Sequence, residues 1–374
     1  MISFRSTIPI IVAVVILAQA NVGQCQSYRV CKECHSDIFE LWKNSLHAKS
    51  YENPTFRATY MTARLDRGDE VAQKCLACHA PMANDENGHD PDAAGAEEGV
   101  TCSFCHSISS VGEGGIDTYY NLDTTGAVYG PYRATQDVGH ETKYSPLYLE
   151  SRLCAGCHEY VNSHGVRVLD TYKEWEESPY RKNDVHCQNC HMPTAPLLSV
   201  ADDYDVTGYY VTAHEFRGGH SNINLAHAVK LETAVTKRER KLEVLVMITN
   251  AESGHMLPTG IPIRSLALNV VLKSAEGIEL SAVRKVYRKV LTDAYGTIIE
   301  NALDMFLNAT DVYSDNRIGP KETRVETLTF EIPKKVKDYY VETTLNYEYS
   351  RPVLIEEFIS IEMAKQVVNS RSIR

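Results

Sequence analysis

The chain has 374 residues, 43% of them hydrophobic, with a formal net charge of −11. That length suggests two domains. The acidic balance argues against nucleic acid and anionic lipid as partners and favours solubility and basic protein partners.

The first twenty residues, "MISFRSTIPIIVAVVILAQA", set Arg5 before an apolar run from Ile8 to Leu17 and close on Ala18-Gln19-Ala20. This is the pattern of a cleaved secretory signal peptide, its apolar run too short for a comfortable membrane span. No other stretch is long and apolar enough to cross a bilayer. Cys25 is expected as a free thiol, because Gln24 stands where a lipoprotein signal wants a small residue. The expected location is outside the cytoplasm: periplasmic, at the cell surface or extracellular.

"CKECH" at 31–35 taken alone reads as half a zinc site, a redox dithiol or a haem attachment point. The chain repeats the pattern as "CLACH" at 75, "CSFCH" at 102, "CAGCH" at 154 and "CQNCH" at 187. Cys-x-x-Cys-His is the c-type haem signature: two thiols take the two vinyl groups of one porphyrin and the histidine falls beneath its iron. Neither a zinc site nor a dithiol needs a histidine directly after the second cysteine. Ten of the eleven cysteines are used in this way: Cys31 and Cys34, Cys75 and Cys78, Cys102 and Cys105, Cys154 and Cys157, Cys187 and Cys190. His35, His79, His106, His158 and His191 are the corresponding proximal ligands. Five covalently bound c-type haems are expected.

Between the motifs the chain is loop-rich, so its core should be largely porphyrin, with short helices around it. The clearest is "HSDIFELWKNSLHAKS", where Ile38, Leu41, Trp42, Ser45 and Leu46 recur at helical spacing. An acidic loop with Asp85, Glu86, Asn87, Asp90 and Asp92 does not follow the twelve-residue calcium pattern and reads as a solvated loop.

From Lys241 the pattern becomes alternation. Leu242, Val244, Val246 and Ile248 share one face, as do Leu266, Leu268, Val270 and Leu272, and "RVETLTFEIP" and "DYYVETTLNYEYS" alternate again. Short strands with Gly, Pro and Asn between them read as a β-sandwich, and "LIEEFISIEMAKQVV" as a terminal helix. The expected fold is α+β: a mainly helical, loop-rich multihaem cytochrome c domain followed by an all-β sandwich domain. The boundaries are a signal peptide at 1–20, a haem domain at 21–235 and a sandwich at 236–374, with the break near residues 228 to 240.

Fourteen histidines include nine beyond the motifs: His47, His89, His140, His164, His186, His214, His220, His227 and His255. These cover the five distal positions that bis-histidine ligation requires. On one continuous helix His47 would lie ~18 Å from His35, whereas trans ligands on one iron sit ~4 Å apart. His47 should therefore cap a haem other than the one His35 carries.

"CKECHSDIFELWKNSLHA", "CLACHAPMA", "GVTCSFCHSI", "YSPLYLESRLCAGCHE" and "VLDTYKEWEESPYRKNDVHCQNCHMP" resemble the multihaem cytochromes related to the electron acceptor of hydroxylamine oxidoreductase. "NAESGHMLPTG" resembles the segment that opens the β-domain appended to many of them. The resemblance implies His47, His140, His214 and His255 as distal ligands. His220, in "HEFRGGH", is the fifth choice, and the remaining four match no family position.

Closely packed bis-histidine haems imply electron transfer to redox partner proteins or extracellular electron acceptors. A monomeric or small-oligomeric carrier is the first expectation; the alternative is self-association into a filament, with Tyr119, Tyr120, Tyr129, Tyr132, Tyr144 and Tyr148 as interface anchors. The rival reading is a multihaem oxidoreductase with one five-coordinate haem acting on a small nitrogen or sulfur compound. No motif ends in lysine, the variant that ammonia-forming nitrite reductases use at their catalytic haem.

Overall fold

A computed structural model of the protein describes residues 27–85, 88–89, 95–112, 120–133, 139–196, 210–350 and 358–373. The expected signal peptide at 1–20, Cys25, Tyr119, and the acidic-loop residues Glu86, Asn87, Asp90 and Asp92 lie outside them.

The N-terminal part is short helices joined by loops. Helices α1 (Tyr28–Cys31) and α2 (Ser36–Trp42) flank the first motif. The expected long helix stops at Trp42. Asn44 turns its side-chain amide back onto the Glu40 carbonyl, and buried Ser45 offers its hydroxyl to the Ala48 amide. Such local side-chain bonds compete with the helical ladder. His47 thus sits in a turn, and the 18 Å spacing does not apply to it.

Helices α3 (Pro54–Arg67) and α4 (Asp69–His79) form a hairpin. Asn53 accepts the Thr55 and Phe56 amides at the start of α3 and Pro54 opens its first turn, while Gly68, at φ +90°, makes the break to α4. Phe56, Tyr60 and Ala63 pack against Ala72 and Leu76, burying the hairpin around the second motif. Helix α5 (Cys102–Ser107), capped by Thr101, carries the third motif, α6 (Arg152–His158) the fourth and α9 (Cys187–His191) the fifth. Between the last two run α7 (Thr171–Glu176) and α8 (Pro179–Lys182). Helix α10 (Asn222–Ala228) leads directly into the first long strand, so the change of architecture falls between residues 228 and 229.

That strand is β1 (Val229–Arg238); β2 (Lys241–Asn250), β3 (Arg264–Ser274), β4 (Glu279–Tyr287) and β5 (Lys289–Thr292) follow. After α11 (Ala302–Asn308) come β6 (Asp311–Asp315), β7 (Thr323–Glu331), β8 (Tyr339–Ser350) and β9 (Phe358–Asn369). The pairs among these strands are antiparallel: one sheet runs β1-β2-β7, a second β4-β3-β8-β9, and β5-β6 form a small ladder. Leu242, Val244, Val246 and Ile248 of β2 and Leu266, Leu268, Val270 and Leu272 of β3 are fully buried in a common core with Phe330, Val341 and Leu345. The two alternating faces read from the sequence meet there. Each such side chain contributes roughly 1.5–3 kcal/mol by leaving water.

The expected terminal helix is instead strand β9, paired along β8 from Phe358 to Asn369 with a bulge opposite Leu345 and Asn346. The side of β8 away from β3 takes β9 as the edge strand of the sheet, and Ile359, Ile361 and Met363 turn inward at period two. Sheet pairing overrides local helix propensity here. Among the described residues no helix is long and apolar enough to cross a membrane.

The two parts share a buried contact. Arg317, which follows β6, and Lys289 of β5 reach Asp170 and Glu174 at α7, while Arg67 of α3 pairs with Asp304 of α11 at 3.1 Å.

Candidate haem centres

The second to fifth motifs lie on helices, so their two cysteines share a turn and the histidine follows, whereas the first bridges two helices, Cys31 ending α1 and His35 capping α2. The thiols of different motifs lie against one another. Cys31 abuts Cys102, Cys78 abuts Cys157, and Cys154 abuts Cys187. Tyr120 stands between Cys105 of the third motif and Cys154 and Cys157 of the fourth. Gly156 inside "CAGCH" is required there, since a Cβ would come within 2.5 Å of the Tyr120 ring. The resulting order is first, third, fourth, fifth, with the second beside the fourth. Cys34 and Cys190, in the two end motifs, are exposed, while the other motif cysteines are half-buried.

Four of the five proximal histidines face another histidine. Ring centroids lie 6.3 Å apart for His35 and His140, 6.2 Å for His47 and His158, 6.3 Å for His106 and His214, and 6.2 Å for His191 and His255. Two imidazoles on opposite faces of one iron, bonded at about 2 Å with ring centres about 1.1 Å behind the ligating nitrogens, have centroids roughly 6.2 Å apart. The separation lies at the wide end of aromatic ring pairing and matches the space for one iron. His255 comes from the β-domain, on the turn after β2.

Their second nitrogens are arranged for the same task. Nδ1 of His79, His106, His191, His214 and His255 is hydrogen-bonded to the carbonyl oxygen of Ser50 (3.1 Å), Tyr129 (2.6 Å), Arg217 (2.6 Å), Thr212 (2.7 Å) and Met256 (3.0 Å) respectively. A donor proton on Nδ1 leaves Nε2 as the free lone pair, the usual outer-shell device for a metal-bound histidine. His47 and His140 instead hold a buried Nδ1 with no hydrogen-bond partner, an orphan that a metal would satisfy. Burial lowers the pKa of His47 to about 3 and of His79, His158, His214 and His255 to about 4, so these rings stay neutral, the form that binds iron. The residues present fit c-type haem.

The loop holding His47 is fixed by a close approach. The Val100 amide donates to the His47 carbonyl at 2.9 Å, and the Trp42 indole N–H donates to the Val100 carbonyl at 2.9 Å. Gly99, at φ +63°, lets the strand in: a Cβ there would stand 2.5 Å from the His47 oxygen.

His79 differs. Its ring stacks on Phe56 at 3.8 Å and 11°, and among the described side chains no histidine faces it. His220, expected as the fifth distal residue, lies instead against Tyr349, its Nδ1 3.1 Å from the phenol oxygen, on the surface of the β-domain. His186 caps α9, its Nδ1 accepting the Ser151 amide at 3.0 Å, while His164 and His227 are exposed. Three of the tyrosines expected as interface anchors serve internal contacts. Tyr148 is buried and donates to the Cys105 carbonyl at 2.6 Å, Tyr120 donates to the Leu153 carbonyl at 2.9 Å, and Tyr129 donates to Asp123 at 2.8 Å. Tyr132 and Tyr144 remain exposed. That His79 meets Phe56 was not legible in the motifs, which are alike.

Residues 30–107 match the family described as cytochrome c554 and c-prime. Among solved structures, the penta-heme cytochrome c552 from Thermochromatium tepidum is similar at 25% identity and a TM-score of 0.74, over 92% of this chain and 99% of that one. The C-terminal domain of wzt aligns with 38% of this chain and 72% of its own at 7% identity and a TM-score of 0.19, too low to carry an argument. No curated protein matches the chain.

Proposed function

We propose that this chain, a multihaem c-type cytochrome whose residues 30–107 form a cytochrome c554 and c-prime domain, binds five haems and transfers electrons outside the cytoplasm. Bound c-type haem supplies the one-electron iron couple. The chain's own residues do the rest. The thiols would hold each group in place, and the four facing histidine pairs would hold the iron at four centres. Carbonyl partners on Nδ1 and the apolar surroundings grade the four environments.

The carrying observation is the set of four histidine pairs at the spacing of trans ligands. It supports His140, His47, His214 and His255 as the distal ligands of the first, fourth, third and fifth motifs. The cysteine contacts support a path running from the first motif through the third and fourth to the fifth, with exposed Cys34 and Cys190 marking its ends. Redox partners would dock there, and end-to-end contact between copies at the same places would extend the path into a filament. Analytical ultracentrifugation with electron microscopy tests the filament; a single monomer across a wide concentration range, without fibres, removes it.

A second reading is favoured by His79 alone. Among the described side chains no histidine stands opposite it, so a haem held there would keep a position for a small ligand, the requirement of an oxidoreductase acting on a nitrogen or sulfur compound. Electron paramagnetic resonance of the oxidised protein decides the ligation. Four low-spin haems and one high-spin haem are expected, and five low-spin haems would overturn the assignment at His79. A high-spin signal that shifts with nitrite, hydroxylamine or sulfite, together with turnover, would select the enzyme over the carrier.

A further inference from the structure

His255 sits in the loop 253–260 of the β-domain, and the residues that hold this loop belong to a buried ionic cluster. Glu174 of α7 is its centre. The Met256 amide, next to His255, donates to Glu174 Oε2 at 3.1 Å, and the Thr259 hydroxyl donates to the same oxygen at 2.6 Å. Glu174 Oε1 accepts Arg317 Nη1 at 2.5 Å. Arg317 is held in turn by Asp170 (3.1 Å) and Asp315 (2.7 Å), and Lys289 donates to Asp170 at 2.6 Å. The side chains of Arg317, Glu174 and Lys289 are 4%, 5% and 5% exposed.

The far side of the loop is fixed from within the β-domain. Asn250 donates its amide to the His255 carbonyl at 2.8 Å, and Leu257 and Ile318 exchange backbone hydrogen bonds at 2.9 and 3.0 Å. The loop is therefore a bridge, one edge tied to the sandwich and the other to α7 of the haem domain.

A cluster of this kind does not add stability in proportion to its contacts. Desolvating the charges offsets most of the Coulomb gain, and apolar packing of the same volume would serve as well or better. What it adds is geometry: directed hydrogen bonds that admit one position of the loop. Burial and the neighbouring Asp170 carboxylate push the Glu174 pKa up, and the Arg317 guanidinium opposes them. Through Oε2, Glu174 serves as the acceptor of the Met256 and Thr259 protons.

We infer that Glu174 and Arg317 are positioning residues that hold the β-domain loop on α7 and thereby seat His255 opposite His191, so that closure of the fifth haem depends on contact between the two domains. The inference rests on His255 being that haem's distal ligand.

The test uses the haem-loaded full chain and reads carbon monoxide binding to the reduced protein, which requires an open axial position. The parent protein shows one binding phase, from the His79 haem. His255→Ala is the reference and should add a second, full phase. Glu174→Leu, which removes the acceptor, should add that same phase, with the affinity of the site for its own ligand weakened by about 10–100-fold, the usual effect of losing an outer-shell partner. Glu174→Gln keeps one of the two acceptor oxygens, enough for Met256 and Thr259 with its amide toward Arg317, and should open the site less than Glu174→Leu. Arg317→Met should open the site as Glu174→Leu does, and if it fails to fold the glutamate pair decides alone. A second phase in His255→Ala but not in Glu174→Leu would overturn the positioning role. So would equal opening in Glu174→Gln and Glu174→Leu. No second phase in His255→Ala would overturn the ligand assignment beneath it, a separate failure.

Discussion

Replacing His47 with alanine should open the haem of the fourth motif and no other. The two rings of His47 and His158 are 6.2 Å apart, so removing one leaves a gap between iron and the nearest remaining side-chain atom of more than ~5 Å, given a metal–nitrogen bond of about 2 Å. Alanine cannot cross it, and water or nothing takes the sixth position. The His47 ring also packs edge-on against Phe216 at 4.4 Å, so its loss leaves a cavity. A buried truncation of this size costs about 2–5 kcal/mol of stability. In the oxidised variant, spin counting by electron paramagnetic resonance should rise from one high-spin haem to two. Millimolar imidazole, which fills the vacated space and supplies the missing nitrogen, should return the count to one. His140→Ala should open a different centre, that of the first motif, so the double variant should show three. An unchanged count in folded His47→Ala protein would refute the pairing, and a double variant no different from either single would show that both residues serve one iron.

The remaining expectations are simpler to check. Denaturing mass spectrometry should find five haem additions on the chain, and fewer would mean that one motif holds no haem. His220→Ala should leave every spin state unchanged, because its ring bonds Tyr349 at the surface; a new high-spin signal would place it on an iron. Gly99→Ala should destabilise the protein by roughly 1–3 kcal/mol through a strained φ and a clash with the His47 carbonyl, and should raise the high-spin fraction at the fourth motif; a wild-type melt and spectrum would refute the close approach. Leu268→Ala in the sandwich core should cost about 2–5 kcal/mol in a thermal or denaturant melt while leaving the haems of the first four motifs intact.

How much of this was legible in the chain follows from which interactions are local. The Cys-x-x-Cys-His pentapeptides announce themselves because attachment chemistry acts within five consecutive residues. Strands β2 and β3 were legible for a similar reason: a half-buried strand repeats at period two whatever it pairs with. The segment at 358–369 misled because its local preference is helical, and only the open edge of β8 made it a strand. The helix at 36–42 ended early through side-chain bonds that a spacing rule does not weigh.

Distal ligation is different in kind. His47 meets His158, and His255 meets His191, across long stretches of chain and, in the second case, across a domain boundary. Counting histidines showed that enough were present, yet the count alone does not separate His220 from His47; only the resemblance ranked them. The stacking of His79 on Phe56 and the Glu174–Arg317 cluster behind His255 are likewise facts of packing. The sequence by itself determined the chemistry, because covalent attachment and side-chain type are properties of neighbours. The tertiary structure decided which groups face one another across a few ångströms, because that depends on how loops and domains close in space.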